Sequence, residues 1–231
     1  MSNATRITVS TFGALAGLAG IEHGIGEILQ GNVAPDGVVI ESWTESELFA
    51  ILDGEPAMTI IPNLLVTGIL AILVSLVFLV WSTIFVQRKH GGPVLILLSV
   101  VMLLVGAGFG PPILGVIVGL AATRIDAPLL WWRTHLSSGS RRFLAKLWPW
   151  CFAAAVISWL LLMPGTMLLD LFLGVSNPEL VVSVIALSAF GFLLLAIFTG
   201  FAHDVQKRTG LRKEYSTSGG RGQDELLPRG R

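Results

Sequence analysis

The sequence predicts an all-α integral membrane protein with four full transmembrane helices and a broken or re-entrant helical pair. Of its 231 residues, 53% are hydrophobic and only 13% are charged, which is about half the charged fraction of a typical soluble domain. The mean hydropathy is +0.78. It arises from several separate apolar runs, and four of these runs reach the ~20 residues that a helix needs to cross a hydrocarbon core.

The four full spans are predicted at residues 7–30, 64–86, 149–169 and 180–201. A fifth apolar stretch, residues 93–122, is broken near its middle by glycines and prolines. Glycine loosens a helix and proline removes a backbone donor. The stretch is therefore either one kinked span or a returning pair of half-helices. The break consists of Gly106, Gly108, Gly110, Pro111 and Pro112.

The charged residues favour the returning pair. The loop 31–61 contains six acidic residues and no Lys or Arg, whereas the connection 123–147 contains five basic residues. Basic connections tend to stay in the cytoplasm, and they all lie on one side only if residues 93–122 enter the membrane and return. This topology predicts a multi-pass plasma-membrane protein with both termini in the cytoplasm. A single kinked helix is the alternative.

The first span carries two distinctive faces. Its glycines project within about 60° of one another and form small-xxx-small pairs, which are typical of close helix packing. These glycines are Gly13, Gly17, Gly20 and Gly24. His23, Glu27 and Gln30 form a polar stripe, while Glu22 points to nearly the opposite side. Ionisable residues deep in a bilayer are functional candidates by default, so these four side chains are candidates for a substrate or ion pathway. Alternatively, Glu27 is interfacial and His23 is a packing residue.

Short amphipathic helices are expected on both membrane faces. In the outer loop, Ser42 or Thr44 followed by an acid three residues later matches a capping box, and residues up to Leu52 supply an apolar side. The inner connection combines tryptophans with basic residues, a composition typical of interfacial helices that contact anionic lipids. The basic residues concerned are Arg133, Arg141, Arg142 and Lys146.

The chain is predicted to form one polytopic membrane domain followed by a tail. Residues 1–213 contain all the apolar segments, and residues 214–231 are rich in Gly, Ser and Arg. Because the tail has no hydrophobic periodicity, we expect it to be disordered on the cytoplasmic side.

Few sequence features point to catalysis or to a cofactor. The chain has no nucleophile elbow, zinc-protease motif, phosphate-binding loop or dinucleotide fingerprint, which argues against an enzyme. Its single cysteine, Cys151, excludes internal disulfides, and its zero net charge gives no basic excess for nucleic acid. We expect no cofactor. A haem or metal would have to use His90 and His203 beside Asp204. These two histidines lie at the inner ends of their spans, whereas His23 lies about 15 to 20 Å away, in the outer half of the first span.

These observations lead to three functional hypotheses. The first is a small membrane protein that moves a small solute or ion through a core containing His23 and Glu27. The second is a non-catalytic membrane subunit or assembly factor, in which the glycine face binds a partner membrane subunit or a second copy. The third is a membrane enzyme that modifies lipid, with His23 and Glu27 as base and acid.

Overall fold

The computed structural model of the chain describes residues 3–44, 46–52, 54–125, 127 and 129–224. The structure is 76% helical. The named strands among these residues are β1 (Val39–Glu41) and β2 (Pro56–Met58), which form one antiparallel pair. Four helices are long and apolar enough to cross a membrane. These findings agree with the predicted all-α membrane class.

The α-helices follow one another in two groups along the described part of the chain. The first group is α1 (Ala4–Gln30), α2 (Leu64–Val80), α3 (Gly91–Leu104) and α4 (Gly110–Ala122). The second group is α5 (Leu130–Thr134), α6 (Ser138–Leu160), α7 (Thr166–Leu173) and α8 (Pro178–Asp224). A 3-10 helix lies at Glu47–Leu52, and π-helical turns lie at Trp81–Phe85 and Leu161–Gly165.

The third of the four membrane-length helices, α6, starts earlier than the predicted span 149–169. The hydroxyl of Ser137 accepts a hydrogen bond from the backbone N–H of Ser140, and this cap starts α6 well before residue 149. The basic interfacial segment and the apolar span therefore form one helix, with Pro149 inside it.

The outer loop contains less helix than predicted. Its amphipathic segment is reduced to the 3-10 helix Glu47–Leu52, and Glu45 and Asp53 lie outside the described residues. The backbone N–H groups of Ser42 and Trp43 donate to the carbonyl oxygens of Glu55 and Gly54, which extends the pairing of β1 with β2. Because these bonds make the predicted capping residue Ser42 part of the extended strand pair, few residues of the loop remain for a helix.

Helix α1 lies at the centre of the bundle. It packs along α2 and α4 and also contacts α8, while α6 and α8 pack along each other. The core between the helices includes the fully buried side chains Phe12, Phe78, Leu95, Leu114 and Leu193. Other large apolar side chains, such as Phe172 and Leu187, are more than three-quarters exposed. An outer surface this apolar is suited to contact with lipid.

The predicted glycine face of α1 lies against α2, its π-helical turn and α3. The contacts are Gly13 with Ser82, Gly17 with Leu79, Gly20 with Ser75 and Met102, and Gly24 with Gly68. At the last pair, a Cβ atom on Gly24 would lie 2.7 Å from the carbonyl oxygen of Gly68. Ordinary contacts between heavy atoms lie near 3.5 Å or beyond, so the absence of a side chain allows the two backbones to approach.

Helices α3 and α4 form an antiparallel hairpin. A Cβ atom on Gly92, at the start of α3, would lie 2.7 Å from the carbonyl oxygen of Gly119, near the end of α4. The chain reverses between them, where Gly106 and Gly108 have φ values of +91° and +78°. These left-handed conformations end α3, and two prolines in the first turn of α4 begin a new helix. Residues 93–122 therefore form two helices and not the single kinked helix of the alternative prediction.

The N-terminal end of α1 is held by Asp204 on α8. The Asp204 carboxylate accepts hydrogen bonds from the backbone N–H groups of Ala4 (2.7 Å) and Thr5 (3.0 Å) and from the Thr5 hydroxyl (2.6 Å). A carboxylate at a helix N-terminus satisfies free backbone donors and interacts favourably with the helix dipole. Asp204 therefore fixes the position of α1 relative to α8.

The C-terminal segment differs from its predicted form. Helix α8 continues to Asp224, so residues 214–224 are helical where the sequence predicts disorder, and residues 225–231 lie outside the described residues. Extending an existing helix costs much less than starting one. The helix formed by the apolar part of α8 can therefore extend through residues 214–224, although these residues are rich in Gly, Ser and Arg.

Candidate functional site

The candidate site is built around His23, which is 5% exposed. The Nδ1 atom of His23 lies 3.0 Å from the carbonyl oxygen of Ala19, one turn earlier in α1. The same nitrogen lies 3.1 Å from a carboxylate oxygen of Glu22 and 3.5 Å from one of Glu55. With a proton on Nδ1, the imidazole faces three acceptors, and these contacts fix the orientation of its ring.

Glu55 reaches the imidazole from the outer loop, just before β2. Its φ of +56° is a left-handed conformation that costs a non-glycine residue about 1 to 2 kcal/mol. Burial raises the pKa of the Glu55 carboxyl to about 8; the His23 imidazole opposes this rise, and the neighbouring Glu22 adds to it. A buried, strained carboxyl beside an imidazole is typical of a functional site.

Glu27 lies one turn beyond His23 on the same face of α1. Its side chain is fully buried, and neither carboxylate oxygen has a hydrogen-bond partner among the described residues. The nearby groups that act on its charge are the His23 imidazole and the Ser42 hydroxyl. Glu27 is therefore a second buried acid close to the same imidazole.

The turn between α3 and α4 covers two residues of the polar stripe, His23 and Glu27. A Cβ atom on Gly106 would overlap the Glu27 carboxylate, and one on Gly108 would overlap the His23 imidazole. Both glycines also have positive φ, so side chains are excluded by backbone conformation as well as by space. The predicted break in residues 93–122 thus lies directly against His23 and Glu27.

The other two candidates of the first span have different positions. The side chain of Gln30 donates to the carbonyl oxygens of Glu41 (2.8 Å) and Ser42 (3.1 Å), and so it fastens the outer loop to the end of α1. Glu22 contacts His23, although the helical wheel placed it on nearly the opposite side. That orientation was wrong, because consecutive helical residues are only about 100° apart and a glutamate side chain is long.

A cavity of about 510 Å³ adjoins the cluster. Apolar side chains of α1, α4, α6 and α8 form its walls, and Gly110 and Pro111 at the start of α4 form part of its lining. Glu22, His23 and Glu55 line one end, and they are the only ionisable side chains among the described lining residues. The cluster is therefore the polar end of an otherwise apolar cavity.

The predicted lipid-contacting residues lie on α5 and α6. Arg142 and Lys146 are exposed on α6, Arg141 is half-buried there, and the side chain of Arg133 lies outside the described part of the structure. Their contact with anionic lipids stays a prediction.

The two histidines named for a haem or metal do not form a three-residue group of potential ligands with Asp204 among the described residues, although Nδ1 of His203 lies 3.7 Å from a carboxylate oxygen of Asp204. His90 is exposed before α3, and the ring of His203 lies 5.2 Å from that of Trp148. One group of three potential ligands occurs among the described residues, with ligand atoms within 4.8 Å of one another. It consists of Glu22, His23 and Glu55.

Glu55 was not singled out from the sequence, in which it is one of the six acids counted in the loop 31–61. A weak local signal exists. Glu55 follows the turn residue Gly54 and precedes Pro56, so it lies where the chain turns back towards the membrane segments. Its contact with His23 depends on how the loop folds over α1, and no local pattern encodes that contact.

Comparison of the chain with protein-family models, with curated proteins and with solved structures finds no match.

Proposed function

We propose that this chain is a small multi-pass plasma-membrane protein that moves a small cation, in the simplest case a proton, through a core containing His23 and Glu27. The observation that carries the proposal is the imbalance of charge in the site. Glu22, Glu27 and Glu55 surround one imidazole, and no Lys or Arg of the described residues pairs with them.

Such an imbalance cannot persist as bare charge. A buried carboxylate without donors or a cationic partner is strongly disfavoured, and in practice it takes up a proton or a cation. Glu27 is the extreme case, because both of its oxygens are buried and unpartnered. Buried ionisable groups on a membrane-spanning helix are typical of sites that bind protons or cations and pass them across.

The hairpin of α3 and α4 supports this function. Each of these helices is about 20 Å long by its rise per residue, which is shorter than a hydrocarbon core of about 30 Å. We propose that they form a re-entrant pair, with both ends on the cytoplasmic face. In transporters, broken helices of this kind meet at the substrate site. Here the turn covers His23 and Glu27.

The outer loop supports the choice of a cation. The loop 31–61 carries six acids and no basic residue, and a field of one sign raises the local concentration of counter-ions. We propose that this loop faces the outside and that the basic connection 123–147 faces the cytoplasm. Cations would then be concentrated at the side on which Glu55 reaches the cluster.

The subunit hypothesis loses its main support in the structure. The glycine face of α1, which would bind a partner span, is occupied by α2 and α3 of the same chain. The lipid-enzyme hypothesis keeps one supporting observation, which is the apolar cavity beside the cluster.

Ion flux in liposomes tests the proposal. The full chain is reconstituted with a pH-sensitive dye inside the vesicles, and a potassium diffusion potential drives proton entry. The wild type should exceed protein-free vesicles, and Glu27→Gln and His23→Ala should lower the flux on the order of tenfold or more. Glu179→Gln, which removes an exposed acid at the start of α8, is the control and should match the wild type.

Wild-type flux no faster than that of empty vesicles, for protons and for sodium alike, would contradict the proposal. Flux that is equal in the wild type and in Glu27→Gln would also contradict it. Each variant is first checked for a single elution peak and for unchanged helical content, so that loss of flux is not loss of fold.

A further inference from the structure

We infer that the apolar cavity beside the cluster binds an amphipathic organic cation, with its apolar body among the helices and its charged group between Glu22 and Glu55. This inference rests on the proposed function, since it names a class of substrate for the same site. It goes further in requiring a ligand with an apolar body as well as a positive charge.

The shape of the cavity carries the first half of the inference. Its volume of about 510 Å³ lies within the range of sites for drug-sized ligands. Apolar side chains from four helices form the walls, and they include Leu15, Leu114, Trp159 and Phe190. The stretch of α1 from Leu15 to Glu22 extends about 10 Å along the helix axis. A ligand there would have its polar group at one end and its apolar body along the rest.

The charges at the polar end carry the second half. The side chain of Glu55 is 6% exposed, and its Oε2 atom has no hydrogen-bond partner among the described residues. Glu22 and His23 are the other ionisable side chains on the described lining. Two carboxylates against one imidazole favour a positive group and disfavour an anion of the same shape. The Glu55 Oε2 atom lies 3.5 Å from Nδ1 of His23 but accepts no hydrogen bond from the described residues, so it remains able to contact a bound positive group.

Two of the lining side chains of the cavity also reach the apolar outer surface of the bundle. Leu18 of α1 and Leu160 of α6 line the cavity, and their exposed fractions are 54% and 48%. A surface of this composition is suited to contact with lipid. An amphipathic ligand dissolved in the bilayer would therefore meet the cavity at these two side chains.

Binding of the cation should be coupled to release of a proton. The pKa of Glu55 is about 8 because of burial, and the charged groups that act on it are His23 and Glu22. Burial therefore favours the protonated form of the Glu55 carboxyl while the site is empty. When a cation arrives, the O–H bond breaks, the proton leaves to solvent and the carboxylate faces the bound cation. The total charge of the site is unchanged by this exchange.

Equilibrium dialysis with tetraphenylphosphonium tests the inference. The full chain is placed in phosphatidylcholine nanodiscs, and tetraphenylborate, an anion of nearly the same shape, is the matched probe. After subtraction of the uptake by empty nanodiscs, we expect saturable binding of tetraphenylphosphonium and no saturable binding of tetraphenylborate. Glu55→Gln should weaken binding about tenfold or more, as expected for a lost charge contact, whereas Glu179→Gln should leave it unchanged.

A second variant tests the cavity itself. Ala186 on α8 lines the cavity, and Ala186→Trp would fill part of it without altering the cluster. It should weaken tetraphenylphosphonium binding, while unbuffered wild-type protein should acidify the medium when the cation binds. Both readouts are independent of any transport activity.

Several results would overturn the inference. These are equal binding of the two probes, equal binding by the wild type and Glu55→Gln, and tight binding of Zn²⁺ with no binding of tetraphenylphosphonium. Together, the binding and flux measurements distinguish a wrong ligand class from a wrong proposed function. If tetraphenylphosphonium does not bind but proton flux still depends on Glu27, the ligand class is wrong and the cation pathway stands. If it binds but no flux occurs, the proposed function fails.

Discussion

Substituting Gly24 by alanine probes the contact that brings α1 close to α2. The new Cβ atom would lie 2.7 Å from the carbonyl oxygen of Gly68 and 2.8 Å from Cγ1 of Ile72. The side chain of Ile72 can rotate, but the carbonyl belongs to the backbone of α2, so the helices must separate. Overpacking of this kind costs about 1 to 3 kcal/mol, and the better helix propensity of alanine returns up to about 1 kcal/mol.

The two terms leave a net loss between about 0 and 3 kcal/mol, and the central value of about 1.5 kcal/mol lowers the midpoint of thermal unfolding by roughly 3 to 6 °C in a chain of this size. The assay is thermal unfolding in mild detergent, followed by tryptophan fluorescence. Gly191→Ala on α8 is the matched control, because no heavy atom other than those of its chain neighbours and its own helix backbone lies within 4 Å of the position of its Cβ. That variant should be as stable as the wild type or slightly more stable. If Gly24→Ala were as stable as Gly191→Ala, the close approach of α1 to α2 would be refuted.

Three further substitutions test other parts of the structure. Asp204→Asn removes the charge that caps α1 at Ala4 and Thr5 and should cost about 1 to 2 kcal/mol in thermal unfolding; wild-type stability would contradict this role. Glu55 has a raised pKa in the folded chain, so the folded state binds more protons than the unfolded state between about pH 4.5 and 8. Wild-type stability should therefore fall as pH rises through this window, and a similar fall in Glu55→Gln would contradict the assignment. Ser138→Cys, in a Cys151→Ser background, should resist an impermeant thiol reagent added to intact cells; ready labelling would support a single crossing by residues 93–122.

Hydropathy predicted the long apolar helices because their apolar runs are continuous in sequence. Where the limits differ, a local contact decides, as at Ser137, whose cap starts α6 in the basic segment. The hairpin of α3 and α4 was also predictable, because the glycines and prolines that break it are adjacent in sequence and the basic connections flank it on both sides.

The composition of the site was only half predictable. His23 and Glu27 share one helix face, so their spacing reveals them. Glu55 lies far along the chain, in a loop whose fold depends on the pairing of β1 with β2. The contact of Glu22 with His23 depends on the direction of a long side chain, which a helical wheel does not give. Non-local contacts of this kind complete the cluster.

Infrared titration of the buried carboxyls measures most directly whether the cluster takes up protons from outside the chain. Wild-type protein in nanodiscs is compared between pH 6 and pH 9, and the C=O stretching band of protonated carboxylic acid is followed. We expect this band to be lost at the higher pH in the wild type and in Glu179→Gln, and the loss to be smaller in Glu55→Gln. A pH-dependent loss in Glu55→Gln identical to that of the wild type would show that Glu55 exchanges no proton in this range and would contradict the proposed handling of cations by this site.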